Sequence, residues 1–390
     1  MAIVLIALRN NNLIRPRFLK QPCGRIIMVL SLFTFKKQGA RAKGAPCLGY
    51  AEVVMGIKGF ESTGKVAVVR DNRSGEPALS AIVVIPDRYE TVEYTMSRLQ
   101  AQSAAEQIEV VFVMPSYQQL ALNESRFKCF HSWQVVEVGN VTFKARAFTA
   151  GIRHARAPVV ALTEDHSFPD ARWAEVFIAA HRQPWAAVGP AMCNGNPDTM
   201  LSWADFYQAY GEWTPPVSSG PVSQLAGHNS SYKRDILLAL GDRLDFMMEA
   251  EGSLHRELKA QGYKLMLESG TCTTHLNFAS WSSWLPKRYY TGRQVSSTWA
   301  KEWPWQRRLL FTAASPLIPW VRLWRVGRRI RRGQPCVFLM RMIPVLLVGL
   351  LVEGIGYTMG YAAGPGSSIE KAEKYEYHRV SDTRSVNDSK

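Results

Sequence analysis

No aspartate or glutamate occurs before Glu52, so the start of the chain carries basic side chains without acidic partners. Cysteine is sparse. The six residues Cys23, Cys47, Cys129, Cys193, Cys272 and Cys336 include no Cys-x-x-Cys pair, which removes a zinc knuckle or a redox motif and leaves a reducing compartment as the default. No Gly-x-Gly-x-x-Gly and no Gly-Lys-Ser/Thr loop follows any strand-like run, so a Rossmann dehydrogenase and a P-loop ATPase lose support. The early apolar run Ile26 to Phe35 lies between Arg25 and Lys36-Lys37. It is too short to span a bilayer and has charges where a small-residue cleavage site should lie, which argues against a secretory signal. Residues 1–78 are therefore expected to be a basic, poorly ordered arm, and Met28 or Met55 could each begin a shorter chain.

The 390 residues, 47% of them hydrophobic, are enough for one large or two modest cores. The formal net charge of +15 is concentrated at the ends, with Arg307, Arg308, Arg322, Arg325, Arg328, Arg329, Arg331 and Arg332 crowding one C-terminal stretch. The centre lacks a basic, aromatic stripe. That distribution suits an anionic membrane surface, and no nucleic-acid partner is expected.

From Leu79 the pattern alternates between strand and helix signals. Ala81 to Ile85 is a β-rich run closed by Pro86; Glu90 to Gln102 is helical in spacing; Ile108 to Met114 and Val135 to Val138 are strand-like. A helix is predicted over Phe143 to Arg156 and a buried strand over Val159 to Thr163, a β-α-β-β-α-β series that predicts an α/β fold with a mostly parallel sheet flanked by helices.

The strand ending at Thr163 runs directly into Glu164-Asp165-His166. Side chains where a strand stops lie at the carboxyl edge of an open sheet, where ligand crevices form. Carboxylate and imidazole together suit a divalent ion such as Mn2+ or Mg2+, whereas the other reading is a charged turn with Asp170 capping the next helix. Further on come Gly227-His228-Asn229-Ser230-Ser231, then Ala250-Glu251 ahead of a helix with Leu254 and Leu258 that stops at Gly262, then Lys264 to Leu267, His275, Arg288 and Arg293.

Taken in order, these motifs from about Leu79 to Arg293 resemble the family-2 glycosyltransferases with the GT-A fold, of a membrane-associated bacterial type. By that resemblance Glu164, His166 and His275 fall on metal-ligand positions. Asp165 lies near the donor sugar and ribose, and Glu251 occupies the catalytic-base position. Pro86, Asp87, Glu90, Arg288 and Arg293 fall on the donor side, and Gly227, His228, Asn229 and Ser230 line the acceptor side. The implied activity is metal-dependent, inverting transfer of a sugar from a nucleotide-diphosphate donor to a lipid-linked or polymeric acceptor hydroxyl, serving cell-surface glycan or glycolipid synthesis. The alternative is a degenerate member that binds nucleotide sugar or glycan without turnover. Met114-Pro115-Ser116 lacks the aspartate usual after the second strand, so the donor base stays unassigned.

The C-terminal third interleaves Trp303, Trp305, Trp320 and Trp324 with the arginines, as a segment at a bilayer interface would. Val337 to Ala363 is strongly apolar, interrupted by Arg341 and Glu353. It reads as an interfacial helix, a full crossing or a buried helix of the soluble domain, and Gly356, Gly360 and Gly364 permit close helix packing. The expected organisation is an arm over 1–78, a catalytic domain over 79–295 on the cytoplasmic side, membrane-associating helices over 296–366 and a disordered polar tail over 367–390.

Overall fold

Val159-Val160-Ala161-Leu162-Thr163 has no polar face, and it folds as a strand buried at every position in the middle of a ten-stranded sheet. The computed structural model describes residues 60–118, 122–141, 143–249 and 251–376. The expected features before residue 60, Ile26 to Phe35 and the two internal methionines among them, lie outside the described residues, as does most of the polar tail.

The strands are β1 (Phe60–Asp71), β2 (Leu79–Val84), β3 (Ile108–Met114), β4 (Ser132–Gly139), β5 (Val159–Thr163), β6 (Ser167–Pro169), β7 (Trp185–Asn194), β8 (Gly220–Val222), β9 (Ser231–Lys233) and β10 (Lys264–His275). The helices are α1 (Glu93–Gln100), α2 (Lys144–His154), α3 (Trp173–Ala180), α4 (Met200–Tyr210), α5 (Arg234–Leu238), α6 (Arg243–Glu249), α7 (Glu251–Ala260), α8 (Trp281–Ala300), α9 (Trp305–Ala314), α10 (Ile318–Gly333), α11 (Cys336–Ala363) and α12 (Ser368–Glu373). The sheet runs β1-β4-β3-β2-β5-β9-β7-β10-β6, with β8 also paired to β10. β2, β3, β4, β5, β7 and β10 run one way, and β1, β6, β8 and β9 run against them, so the sheet is mixed α/β with a parallel majority. Apolar side chains cover both faces. Ile82, Val111 and Leu162 meet α2 on one side, and Ala81, Val110 and Phe112 meet Met96, Leu99 and Phe177 on the other.

Two differences from expectation concern the ends of the sheet. Residues placed in the basic arm form β1, which pairs antiparallel with β4. Lys65-Val66-Ala67-Val68 alternates as an edge strand should, and Gly64, at φ +63°, sits at the irregularity in the pairing. Part of the expected tail is also structured, because α12 and the residues to Glu376 fold back onto α8, burying Ser368 and Ala372.

Cys193 on β7 and Cys272 on β10 are paired as a disulfide. The two lie 79 residues apart and meet only through strand pairing, which local spacing does not show.

The apolar segment is α11, one helix among the described residues long and apolar enough to cross a membrane. It has two faces. Met342, Leu346, Leu350, Tyr357 and Tyr361 are buried, while Val337, Met340, Leu351, Ile355 and Met359 are exposed. Glu353 is turned inward, where it pairs with Arg288 of α8 and Arg322 of α10, so its charge does not lie on the outer face. Of the two polar interruptions, Glu353 is thus absorbed by packing, whereas Arg341 near the start of the helix is exposed.

Close approach of α8 and α11 depends on glycines. A methyl at Gly356 would overlap the Tyr289 carbonyl, and one at Gly360 would overlap Ser296 and the Arg293 carbonyl. Gly364, in contrast, ends the helix at φ +75°. Gly360→Val should cost about 3 kcal/mol through forced separation of the two helices, read as a lowered thermal midpoint. An unchanged midpoint would mean the interface is looser than described.

Candidate active site

The carboxyl end of β5 is where distant parts of the chain converge. Antiparallel β9 lies beside β5, so the turn at Gly227–Asn229 that precedes it is delivered to the end where β5 stops. On the other side, β6 pairs with the last residues of β10, placing Ser167 opposite His275, and the Leu276 amide donates to the His166 carbonyl at 3.0 Å. Thr95 of α1 anchors the backbone at the centre, its hydroxyl donating to the carbonyls of Glu164 at 3.1 Å and Asp165 at 3.0 Å.

The side chains of Glu164, His166 and His275 each bring a ligand atom within 4.8 Å of the others, and all three are buried. Hydrogen bonds assign the imidazole roles. His166 Nδ1 lies 2.8 Å from the Asp165 carboxylate, an acceptor, so Nδ1 carries the proton. His275 Nδ1 lies 3.0 Å from Asn277 Oδ1, while the Asn277 amide nitrogen is spent on Asn194 and the His275 carbonyl, so this Nδ1 also donates. Each ring therefore turns the lone pair of Nε2 toward Glu164 Oε2, 3.7 Å away for His275 and 4.0 Å for His166. Two imidazole lone pairs and a carboxylate oxygen facing one another repel unless a cation lies among them. The carboxylate oxygen and two imidazole nitrogens, with the rings fixed through their far nitrogens, form a donor set for a divalent metal ion.

The rest of the shell is polar and buried. Glu164 accepts from Asn229 Nδ2 at 2.8 Å, and its other oxygen lies 3.3 Å from Lys144 Nζ and 3.8 Å from His228 Nδ1. Burial pushes the Glu164 carboxyl up, but the Lys144 ammonium beside it pulls the other way and the group lies well below the usual carboxylate range. Burial likewise works against the charge on Lys144, and the carboxylates of Glu164 and Asp165 reverse it, so the ammonium stays charged. Asp165 Oδ2 is buried without a hydrogen-bond partner.

The other expected site residues are distributed unevenly. Pro86, Asp87 and Glu90 follow β2 at the same sheet edge, with Asp87 and Glu90 exposed. Gly227 to Ser230, expected on the acceptor side, lie beside Glu164, to which Asn229 donates; Gly227, Asn229 and Ser230 are buried, and the Ser230 hydroxyl donates to the Ala226 carbonyl. Glu251 is the first residue of α7, and its side chain is outside those described.

Arg288 and Arg293 do not close over the cluster. Arg288 is buried between Asp205 at 3.5 Å and Glu353 at 3.4 Å, and Arg293 Nε donates to the Gly364 carbonyl at 2.9 Å. Both are consumed in holding α8 to α11, because a cation buried between helices needs local acceptors.

Lys144, Asn277 and Thr95 went unnoticed in the sequence. For Lys144 a signal existed: it shares a helical stripe with Phe148 and Ile152, all buried, and a lysine on a core face must have a carboxylate nearby.

No protein-family model and no curated protein matches the chain. Among solved structures, a mannosyltransferase from Pyrobaculum calidifontis in complex with GDP-Man and Mn2+ aligns with 77% of this chain and 90% of that one, at 15% identity and a TM-score of 0.44.

Two histidines fix β9 behind the cluster, His181 through Ser231 at 2.9 Å and His255 through the Tyr232 hydroxyl at 3.0 Å. Burial pushes both imidazoles from 6.5 down to about 4. Each stays neutral in the folded chain while the unfolded chain takes up a proton, so stability is full above pH 6.5 and is lost as the pH falls toward 4. Urea midpoints measured across that range should fall on acidification, by up to about 3 kcal/mol per histidine, and His255→Gln should remove about half of the slope. A profile level down to pH 4, or one the variant leaves intact, would contradict this.

Proposed function

We propose that the protein is a metal-dependent glycosyltransferase that moves a sugar from a nucleotide-diphosphate donor to an acceptor hydroxyl. The observation carrying the proposal is the convergence of Glu164 Oε2 and the Nε2 atoms of His166 and His275 at the carboxyl end of a parallel strand. The order of motifs around it, from Pro86 through His275, resembles that of the family-2 glycosyltransferases with the GT-A fold.

Glu164, His166 and His275 would hold the ion, which supplies Lewis-acid neutralisation of the leaving phosphate oxygens. The chain's own residues do the rest. Lys144 keeps Glu164 ionised, Asp165 and Asn277 orient the imidazoles, and Thr95 pins the turn carrying them. Glu251, at the head of α7, takes the proton from the acceptor hydroxyl as its oxygen attacks the anomeric carbon, and the sugar–phosphate bond breaks with its electron pair going to the nucleotide diphosphate. A single displacement of this kind inverts the anomeric centre and needs no enzyme nucleophile.

The acceptor is assigned to a membrane surface, lipid-linked or a growing glycan. Exposed Trp305, Leu309, Leu310, Leu317, Trp320 and Trp324 stand beside the C-terminal arginines and join the outer face of α11. Exposed aromatic and aliphatic side chains in an arginine-rich segment match an anionic bilayer interface.

Thermal shift with uridine, guanosine, thymidine and cytidine diphosphates, with and without Mn2+, should give metal-dependent stabilisation by one of them. His166→Ala and His275→Ala should abolish it. Glu251→Gln should keep the shift while lowering turnover about 10²- to 10⁴-fold. No shift with any diphosphate, or full turnover in Glu251→Gln, would sink the proposal.

A further inference from the structure

α11 is 28 residues long, about 42 Å as a helix against about 30 Å for the hydrocarbon of a bilayer, so its length suits either standing across a membrane or lying along one. Its packing separates the two. Met342, Leu346, Leu350, Tyr357 and Tyr361 bury one stripe that runs for about 28 Å, and Met340, Val348, Leu351, Ile355 and Met359 expose the opposite stripe over the same length. α8 follows the buried stripe. Trp284 lies where a side chain at Gly349 would stand, Arg288 reaches Glu353 at 3.4 Å, and the backbone at Tyr289 and Arg293 lies against Gly356 and Gly360. Asp205, Arg288, Glu353 and Arg322 form a chain of charges beside α11, about one turn past its midpoint. Upright, the helix would carry that chain, with Lys287 and Arg293 of α8, into the hydrocarbon, where charges are costly.

Both ends of α11 are tied to the same body. Near its start Phe338 packs edge-on against Trp203 of α4, with ring centroids 5.5 Å apart, and at the other end of α4 the Tyr210 ring meets His275 at 4.4 Å. At its end Arg293 of α8 donates to the Gly364 carbonyl and Arg308 of α9 to the Tyr361 carbonyl, both at 2.9 Å. Past the end, Lys287 of α8 pairs with Glu376, and Tyr375 stacks on Tyr290 with ring centroids 6.4 Å apart. A crossing helix holds its two ends on opposite sides of about 30 Å of hydrocarbon. A helix whose start, end and following segment are all held by α4, α8 and α9 keeps them on one side.

We infer that α11 lies in the plane of an anionic bilayer without crossing it, its exposed stripe sunk into the boundary between headgroups and acyl chains, with both helix ends and the Glu164 cluster on the same side. Charge selects the occupant. From Trp303 to Val352 the chain has nine arginines and no aspartate or glutamate, and Arg307, Arg325, Arg328, Arg331, Arg332 and Arg341 are exposed. Arg307 lies over the Trp303 ring at 4.0 Å and Arg328 over Trp324 at 4.9 Å, guanidinium–indole pairs suited to a layer that is apolar on one side and ionic on the other. A second copy of the chain would bring these cations against their own kind, whereas anionic headgroups neutralise them. The placement rests on the bilayer assigned above to the arginine-rich segment and not on sugar transfer. It adds that donor and acceptor meet the site from one side of the membrane.

The test reads sidedness. Sealed inside-out membrane vesicles and intact spheroplasts, from bacterial cells making the full-length chain, are treated with a membrane-impermeant maleimide. Glu106→Cys reports the sheet-bearing body and Ser367→Cys the segment past α11, both exposed positions, and peptide mass spectrometry separates them from the native cysteines. Both should label in one preparation and neither in the other. Labelling of the two from opposite faces means that α11 crosses, and overturns the inference. In a second arm the purified full-length protein is sedimented with vesicles of phosphatidylcholine and phosphatidylglycerol in equal parts, or of phosphatidylcholine alone. Binding to the anionic vesicles should exceed binding to the neutral ones, and should fall about tenfold when Leu351→Glu and Ile355→Glu are combined, with the thermal midpoint unchanged. Binding that the paired substitutions leave intact, or a dimer in solution that binds no vesicle, would also overturn it. Failure to bind either vesicle ends the membrane assignment of the acceptor as well, whereas labelling from opposite faces leaves that assignment and the sugar transfer standing.

Discussion

The interaction on which the rest of the site depends is the opposition of the Glu164 carboxylate to two imidazole lone pairs. An ionised carboxylate in the interior is costly unless cations and donors meet it, and the fold supplies Lys144 from the first turn of α2 and Asn229 from the turn before β9. The opposing imidazoles arrive from the end of β5, His166, and the end of β10, His275. Each approach fixes a piece of topology. Antiparallel β9 is needed to bring the Gly227 turn to the carboxyl edge, and the short β6 is needed to hold His166 against His275.

Much of this was legible before the structure. Uninterrupted apolar runs announced β3 and β5, and the buried helix α2 falls inside the range its spacing predicts. Glu164, His166 and His275 were identified as a set, and they lie together. What escaped sequence reasoning depends on contacts between distant segments. β9 is three residues long and carries no periodicity, so its reversal is imposed by pairing with β5 and β7. Arg288 and Arg293 follow the motifs as donor-binding arginines would, yet the partners that consume them, Glu353 and the Gly364 carbonyl, lie far along the chain. The internal bond of Ser230 was not legible either, because its hydroxyl is taken up by the Ala226 carbonyl within the same polar run.

The C-terminal helices combine two kinds of surface in one element. α11 offers α8 a face of glycines, aromatics and one paired carboxylate, and offers the outside a row of aliphatic and methionine side chains. The first makes it a structural part of the sheet-bearing body, and the second suits an apolar phase. Hydropathy alone does not separate those roles, since both faces are apolar and the distinguishing feature is the inward turn of Glu353.

The meeting of His166 and His275 across strands β6 and β10 also bears on biosynthesis. Contacts between residues so far apart in sequence close late, because the intervening loop entropy is spent before the pairing repays it. A ribosome-bound chain that has emerged only as far as β7 has Glu164 and His166 with Lys144 and Thr95 but lacks Asn229 and His275. The acid–histidine cluster is therefore completed at one moment, when β10 docks, and a truncated translation product would carry most of the sheet without it.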